Sequence, residues 1–237
     1  MITLLVRRGH LVAGATVTLE PEELHHLEVR RIPAEMRVRL LDGGGRRGEG
    51  QLRGSSIRPE VYVEQVFEEP APVETCLAVG AGDRDRFAVL AEQATQLGAT
   101  RIIPLETART ANVATRLRGQ HLDRIRRRAR EALKQCGALW SLEVEEPLRL
   151  TEFLDRPHAG ARWLADAAGG SSESLGADTP LTVVIGPEGG FATEEAAALR
   201  GAGFIPVRLG PHVLRFETAA LAALTTAWHA RQRGSHG

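Results

Sequence analysis

The chain has 237 residues, enough for one large domain or two of ordinary size. Its formal net charge is zero, so overall charge gives no sign of nucleic-acid binding, and any basic surface must be local. The two cysteines, Cys76 and Cys136, form no CxxC motif, which argues against a disulfide framework and against a cysteine-based zinc site. The first apolar run, residues 1–6, is too short for a signal peptide or a membrane span, so we expect a cytoplasmic protein with no membrane partner.

The first 70 residues have the pattern of a small β-rich domain. A short helix with proline in its first turn is predicted from Pro21 to Arg30. Several short strands and one helix are typical of a small barrel-like domain. The sequence EEPAP at residues 68–72 is predicted to be the linker that follows it. Short apolar or alternating runs between turn residues predict strands at residues 4–6, 16–19, 37–41, 48–52 and 61–66.

From residue 73 onward, predicted strands and helices alternate. This alternation predicts a parallel α/β sheet covered by helices on both faces. We therefore predict two domains, residues 1–70 and residues 73–237. The predicted strands are residues 76–79, 101–105, 163–165, 181–185 and 204–209. The predicted helices are residues 87–97 (closed by Gly98), 121–136, a helix capped by Thr193, and 217–231.

The stretch LTVVIGPEGGF, residues 181–191, combines a buried strand with a glycine loop. Its first five residues are apolar or β-branched, which predicts a strand buried on both faces. Pro187 and three glycines then end the strand, and Glu194 and Glu195 suit the first turn of a helix. Ligands of open α/β sheets bind outside the carboxyl ends of the strands. The stretch alone fits a ligand-binding loop and an ordinary strand–helix turn equally well.

A second stretch of this kind is LGPHVLRFETAA, residues 209–220. A strand again ends at a Gly-Pro turn, and a loop carrying Arg215 leads into the last helix, which Thr218 is predicted to cap. Two such loops in one domain can together enclose a small molecule. No Rossmann fingerprint, Walker A, HExxH or GxSxG motif is present, and His25 and His26 have no carboxylate cluster around them, so we predict no metal site.

The two loop motifs resemble the signature of the bacterial 16S rRNA (uracil-N3) methyltransferases of the SPOUT class. They are GPEGG at residues 186–190 and LRFETA at residues 214–219. The resemblance extends in the right order over nearly the whole chain. Its other segments begin at His25, Asp83, Gln93, Ile103 and Glu131.

The resemblance implies an α/β fold whose C-terminal SPOUT domain has a parallel sheet and a deep trefoil knot, preceded by a small β-rich, PUA-like RNA-binding domain. It also implies S-adenosyl-L-methionine as cofactor, 16S rRNA or the 30S subunit as partner, and a homodimer formed through the C-terminal domain. The implied cofactor-binding residues are Leu164, Ala165 and Asp166, then Ile185, Gly186, Gly189 and Gly190, and finally Leu209, Gly210, Val213 and Leu214.

By the same resemblance, Arg215 is the predicted catalytic residue, which would stabilise a uracil anion. A phosphate contact or a salt bridge with Glu217 are the alternatives for its side chain. Glu188 is predicted to bond loop amides rather than to remove a proton. The predicted RNA-binding residues are Arg7, Arg8, Arg30, Arg31, Arg109 and Arg127. A dense basic run is either a solvated helix face or a phosphate track. It consists of Arg124, Arg126, Arg127, Arg128 and Arg130.

The implied activity is methylation of N3 of a specific uridine in 16S rRNA. The chain departs from the family pattern, mostly on the presumed RNA side, at Thr3, Gln96, Ala138 and Phe216. These departures leave two alternatives open, a SPOUT methyltransferase acting on another RNA base or on tRNA, and a non-catalytic rRNA-binding assembly protein. Trp228 shares an apolar stripe with Leu221 and Leu224, which predicts a core or dimer contact.

Overall fold

The structure is a computed structural model, in which the chain forms two compact units. The described residues are 1–33, 35–55, 58–80, 82–110, 117–172 and 174–234. The first unit consists of Met1–Pro72 and Leu133–Ser141, and the second of Val73–Ala132 and Leu142–Gly237. The division at Pro72 falls at the end of the predicted linker. The first unit also includes a short segment from much later in the chain, which the sequence did not indicate.

The first unit is built on a five-stranded sheet of order β1-β3-β4-β5-β2. Strands β1 and β3 are parallel, and the other neighbours are antiparallel. The predicted β-rich character and the helix starting at Pro21 are confirmed. The elements are β1 (Ile2–Leu5), β2 (Thr16–Thr18), α1 (Pro21–Val29), β3 (Arg37–Leu41), β4 (Arg46–Ser55) and β5 (Arg58–Glu68).

Alternation along these strands builds the core of the first unit. Val38, Leu40, Val61 and Val63 are fully buried on the inner face, where Leu27 of α1 joins them. On the other side, a second cluster explains why the segment Leu133–Ser141 belongs to this unit. Its members are Leu5, Leu41, Leu133 and Leu139.

A buried ion pair lies in the same unit. Lys134 Nζ is 3.0 Å from Glu23 Oε1, and the two side chains are only 8% and 4% exposed. Lys134 is the only lysine in the chain. Because buried charges are rarely found without a partner, this pair links α1 specifically to the late segment.

The second unit is an all-parallel sheet of order β12-β10-β11-β6-β7-β8, with β9 also paired to β7. The predicted parallel α/β sheet is therefore confirmed. The strands are β6 (Thr75–Gly80), β7 (Arg101–Glu106), β8 (Glu143–Val144), β9 (Leu148–Arg149), β10 (Ala161–Gly170), β11 (Leu181–Ile185) and β12 (Ile205–Val207). The helices are α2 (Arg84–Gln96), α3 (Gln120–Cys136), α4 (Leu150–Leu154), α5 (Thr193–Gly201) and α6 (Phe216–Gly234).

Apolar clusters cover both faces of this sheet, as predicted. On one face, Phe87 and Leu90 of α2 pack with Leu224 of α6 against the strands. On the other face, Phe153 of α4 and Leu199 of α5 pack against a second set of strand residues. Among the described helices, none is long and apolar enough to cross a membrane.

Two predicted helix caps are wrong. The N-cap of α5 is Ala192, and Thr193 is the first residue inside the helix. The carboxylate of Glu195 accepts a hydrogen bond from the Ala192 amide at 2.9 Å, which satisfies a donor at the helix end without a threonine cap. Thr218 does not cap α6, because that helix already begins at Phe216.

Three short elements were not predicted. Strands β8 and β9 have two residues each, and α4 has five. Elements of this length are too short to show a periodic pattern. Strand β12 is also shorter than the predicted 204–209, because its three residues lead directly into the second Gly-Pro loop.

Candidate active site

The candidate site is a cavity of about 380 Å³ in the second unit. Its walls come from β10, from the end of β11 and from the loop after β12, and these three strands are neighbours in the sheet. The loops that follow β11 and β12 close it, and residues 164–167 of β10 complete the wall. A volume of this size is typical of sites for small molecules. The parallel sheet and this strand-end cavity together define an α/β domain built to bind a small ligand.

The first loop is shaped by its glycines and by Pro187. The Gly190 amide donates to the Pro187 carbonyl at 2.7 Å, which closes a tight turn. Gly190 has a φ of +69°, a conformation that favours glycine. A Cβ added at Gly186 would lie 3.2 Å from the ring of Phe191. The positive φ therefore favours glycine at position 190, and a side chain at position 186 would need the Phe191 ring to move by a few tenths of an ångström.

All residues predicted to bind the cofactor line this one cavity. They are Leu164, Ala165, Asp166, Ile185, Gly186, Gly189, Gly190, Leu209, Gly210, Val213 and Leu214. Their role in binding a cofactor remains a prediction. Three more lining residues, Pro187, Glu188 and His212, lie within the implied cofactor loops 185–190 and 209–214. The walls that the prediction omitted are Ala167, Phe191, Ala196, Phe216 and Ala219. Pro187 and Glu188 lie inside the GPEGG motif, so the motif itself indicates both residues.

Phe216 is one of the four departures from the family pattern, which were expected mostly on the RNA side. It is buried, lines the cavity and belongs to the core of the second unit. A large apolar residue at this position fills space beneath the site. This departure from the family pattern therefore bears on the cavity wall.

Two residues that line the cavity, Asp166 and Glu188, carry negatively charged carboxylates. Asp166 lines the wall and pairs with Arg200 at 3.0 Å. Within the described residues, no loop amide donates a hydrogen bond to Glu188, which was predicted to accept such bonds. Its carboxylate lies against Gly82 and 3.9 Å from Arg86 Nη1, because the loop turns this side chain towards the end of β6.

Arg215 precedes α6 and is exposed. The alternative salt bridge with Glu217 is not formed, because the Glu217 carboxylate lies 4.0 Å from Arg86. The backbone carbonyl of Arg215 accepts a bond from Ala219 at 2.8 Å, which fixes its backbone to the first turn of α6. Its side chain is exposed, and Arg215 is not among the residues that line the cavity.

The predicted RNA-binding arginines are distributed over both units. Arg7, Arg8, Arg30 and Arg31 are exposed in the first unit, where the guanidinium of Arg8 lies 5.5 Å from the Trp140 ring. Arg127 is exposed in α3 of the second unit.

Arg109 is exposed too, but its guanidinium donates to the carbonyl of Gly189 in the first loop. The structure therefore places it against the candidate site rather than on a separate surface.

The basic run in α3 is largely paired within the second unit. Arg124 contacts Asp85 at 3.2 Å, and Arg128 contacts Glu92 at 3.8 Å. Arg126 donates twice to the Val144 carbonyl, at 2.9 and 3.1 Å. These contacts favour the interpretation as a solvated helix face. Among the described residues, no group of three or more His, Cys, Asp or Glu side chains is arranged to hold a metal ion.

Comparisons with known proteins identify the family of the chain. The model of the RNA methyltransferase domain family matches residues 69–228. The ribosomal RNA small subunit methyltransferase E of Synechocystis sp. is 34% identical over 233 residues, which cover 93% of this chain and 75% of that protein. The protein of the same name from Mycobacterium tuberculosis is 32% identical, with 92% and 90% covered. The chain belongs to this family of RNA methyltransferases.

Solved structures are similar over the whole chain. A Legionella pneumophila protein described as a methyltransferase, solved with bound SAM, has a TM-score of 0.81 and 26% identity, with 97% of both chains covered. The small subunit methyltransferase E of Neisseria gonorrhoeae, solved with bound S-adenosyl methionine, has a TM-score of 0.85 at 24% identity, again with 97% covered. The second likeness shows a shared fold.

Proposed function

We propose that the protein transfers a methyl group from S-adenosyl-L-methionine to N3 of a specific uridine in 16S rRNA. The observation that carries this proposal is one cavity lined by all three implied cofactor-binding segments, which are residues 164–166, 185–190 and 209–214. Membership of the RNA methyltransferase family supports the reaction, and the name shared by the curated relatives supports small-subunit rRNA as substrate. The Legionella protein with bound SAM supports the cofactor.

The residues of the cavity suit this cofactor. Leu164, Ile185 and Leu214 would bury its apolar parts, and the glycine backbone at residues 186–190 would approach it closely. The carboxylates of Asp166 and Glu188 have the sign that complements its positive charge. When bound, S-adenosylmethionine supplies an electrophilic methyl group on a positively charged sulfur.

The task left to the protein is to place uracil N3 and to stabilise the anion formed when N3 loses its proton. Arg215 has the exposure and the charge for this role, through a charge-assisted hydrogen bond to a uracil oxygen. In the net reaction a carbon–nitrogen bond forms at N3, the sulfur–methyl bond breaks, and the N3 proton leaves.

The RNA is proposed to bind the first unit as well. This unit would act as a PUA-like domain, with exposed Arg7, Arg8, Arg30 and Arg31 contacting phosphates, and Arg127 contributing from the second unit. Phosphate contacts by arginine position an RNA without specifying its sequence, so the target uridine would be selected at the cavity. A ribosomal substrate also makes the cytoplasm the proposed location.

Two architectural features belong to the same proposal. One is a deep trefoil knot formed by the loops around the cavity. The other is a homodimer through the C-terminal domain. Trp228 of α6 is 56% exposed, so its side chain is accessible to a second copy of the chain. Light scattering should give twice the chain mass for the wild type and the single-chain mass for Trp228→Glu; an unchanged mass in the variant would place the interface elsewhere.

A single experiment tests the proposed reaction against its alternatives. Methyl-labelled S-adenosylmethionine is incubated with the protein and with unmodified 30S subunits, free 16S rRNA or tRNA, and the methylated nucleoside is mapped. N3-methyluridine in 30S subunits or 16S rRNA is the expected product. Methylated tRNA, or another modified base, would support a different SPOUT specificity. Failure to bind the cofactor would support the non-catalytic assembly protein.

A further inference from the structure

The turn that follows β7 is held rigidly by two buried threonines. Thr107 and Thr110 are 3% and 2% exposed, and their hydroxyl oxygens are 2.9 Å apart. The Thr110 hydroxyl also accepts from the Thr107 amide at 3.0 Å and donates to the Leu105 carbonyl at 3.3 Å. These bonds leave Ala108 and Arg109 exposed at the tip of the turn. The tip is therefore a fixed support from which both residues reach towards the first loop.

Arg109 holds the outer side of the glycine loop. Its Nη1 donates to the Gly189 carbonyl. A Cβ on Gly189 would come 3.1 Å from Arg109 Cδ, so the arginine stem lies directly over this glycine. The contact bridges 80 positions of sequence. It anchors the middle of the loop that forms part of the cavity wall.

Glu195 provides a second, independent contact between the same turn and the end of the loop. One carboxylate oxygen accepts from the Ala108 amide at 2.7 Å, and the other accepts from the Ala192 amide at 2.9 Å. The loop is thus fixed at Gly189 through Arg109 and at Ala192 through Glu195. Both contacts originate from the tip of the β7 turn.

We infer that Arg109 and Glu195 are positioning residues that hold the 186–192 loop in its ligand-binding conformation. A segment with three glycines has more backbone freedom than other sequences and loses more entropy when a ligand orders it. Fixing the loop before the ligand arrives removes part of that cost. This inference rests on the proposed cofactor site, and it assigns Arg109 to the loop instead of to RNA phosphates.

Calorimetry of S-adenosylmethionine binding without RNA is the direct test. Arg109→Ala should weaken cofactor affinity about tenfold, the equivalent of roughly 1.4 kcal/mol. Arg109→Lys, which keeps one donor, should recover part of the loss. Arg118→Ala is the matched control, because Arg118 pairs with Glu106 at the end of the same strand and is 59% exposed. We expect this control to bind like the wild type.

Glu195→Gln tests the other contact with an equally close control. Glutamine has one carbonyl oxygen and cannot accept both amides. Glu194→Gln makes the same charge change in the same helix turn at an exposed position, and it should leave binding unchanged. Amide hydrogen exchange in residues 186–192 of the ligand-free protein should be faster in Arg109→Ala and in Glu195→Gln than in their controls.

Steady-state kinetics complete the test. In Arg109→Ala the KM for the cofactor should rise, while the KM for RNA and the salt dependence of RNA binding stay as in the wild type. Equal cofactor affinity in Arg109→Ala and wild type would overturn the inference. If RNA binding by Arg109→Ala also depended less steeply on salt than that of the wild type, Arg109 would instead be an RNA-binding residue. A wild type that binds no cofactor would instead defeat the proposed function.

Discussion

Replacing Lys134 with methionine should destabilise the first unit by about 3–5 kcal/mol, the usual cost of breaking a buried ion pair from one side. Its Nζ is 3.0 Å from Glu23 Oε1, and neither side chain is more than 8% exposed. At an effective dielectric constant of about 20, unit charges at this distance attract by roughly 5 kcal/mol. Among the described residues, Glu23 Oε2 has no hydrogen-bond partner, so Lys134→Met would strand a carboxylate that is already poorly solvated.

The double variant Glu23→Leu/Lys134→Met separates charge from packing. It removes both charges and keeps similar volume, so it should recover most of the stability that Lys134→Met loses. Urea unfolding at neutral pH, followed by circular dichroism and tryptophan fluorescence, gives the free energies of unfolding. A loss below about 1 kcal/mol in Lys134→Met, or a double variant as unstable as the single one, would refute this reasoning.

Three further predictions concern activity and pH. Arg215→Ala should abolish methyl transfer while cofactor binding, measured by calorimetry, survives; an equal loss of cofactor affinity would contradict its role towards uracil. Burial lowers the pKa of His158 below its unfolded value of about 6.5 despite the hydrogen bond to the Phe153 carbonyl. The neutral imidazole is thus favoured in the folded state, so the stability that His158 contributes is present above pH ~6.5 and is lost as the pH falls through its folded pKa. The difference in melting temperature between wild type and His158→Phe should shrink from pH 7.5 to pH 5, and a constant difference would oppose this. If α3 follows an RNA phosphate track, neutralising Arg124, Arg126 and Arg128 should flatten the salt dependence of rRNA binding; we expect an unchanged slope, because these three are already paired with acidic or carbonyl groups.

Local patterns were enough to predict the parallel sheet and its two Gly-Pro loops, whereas the cofactor-binding residues were assigned from the family resemblance. The apolar run at residues 181–185 is completely buried, as a strand covered on both faces must be. The Gly-Pro turn and the glycines that follow marked the loop in the sequence, and Gly190 has a positive φ, which favours glycine. The buried strand and the glycine loop both depend on residues that are adjacent in sequence.

Contacts between distant residues could not be predicted in this way. Nothing near Arg109 in the sequence indicates that its guanidinium meets a carbonyl 80 positions later. Glu195 looked like a helix-start acid, and its bond to Ala108 spans 87 positions. The pairing of Lys134 with Glu23 spans 111. In each case the sequence shows the charged residue, but the fold of the distant segments determines which group it contacts.

The membership of Leu133–Ser141 in the first unit has a consequence for synthesis on the ribosome. Domains generally fold as the chain emerges, starting with the N-terminal one. Here residues 1–72 lack Leu133 and Leu139, which pack on Leu5 and Leu41. The first unit therefore cannot complete its core until Ser141 has been made. By then β6, α2, β7 and all of α3 have also been made, so the first unit completes its core only after much of the second has been synthesised, and a gene fragment ending at the linker should yield a product prone to aggregation.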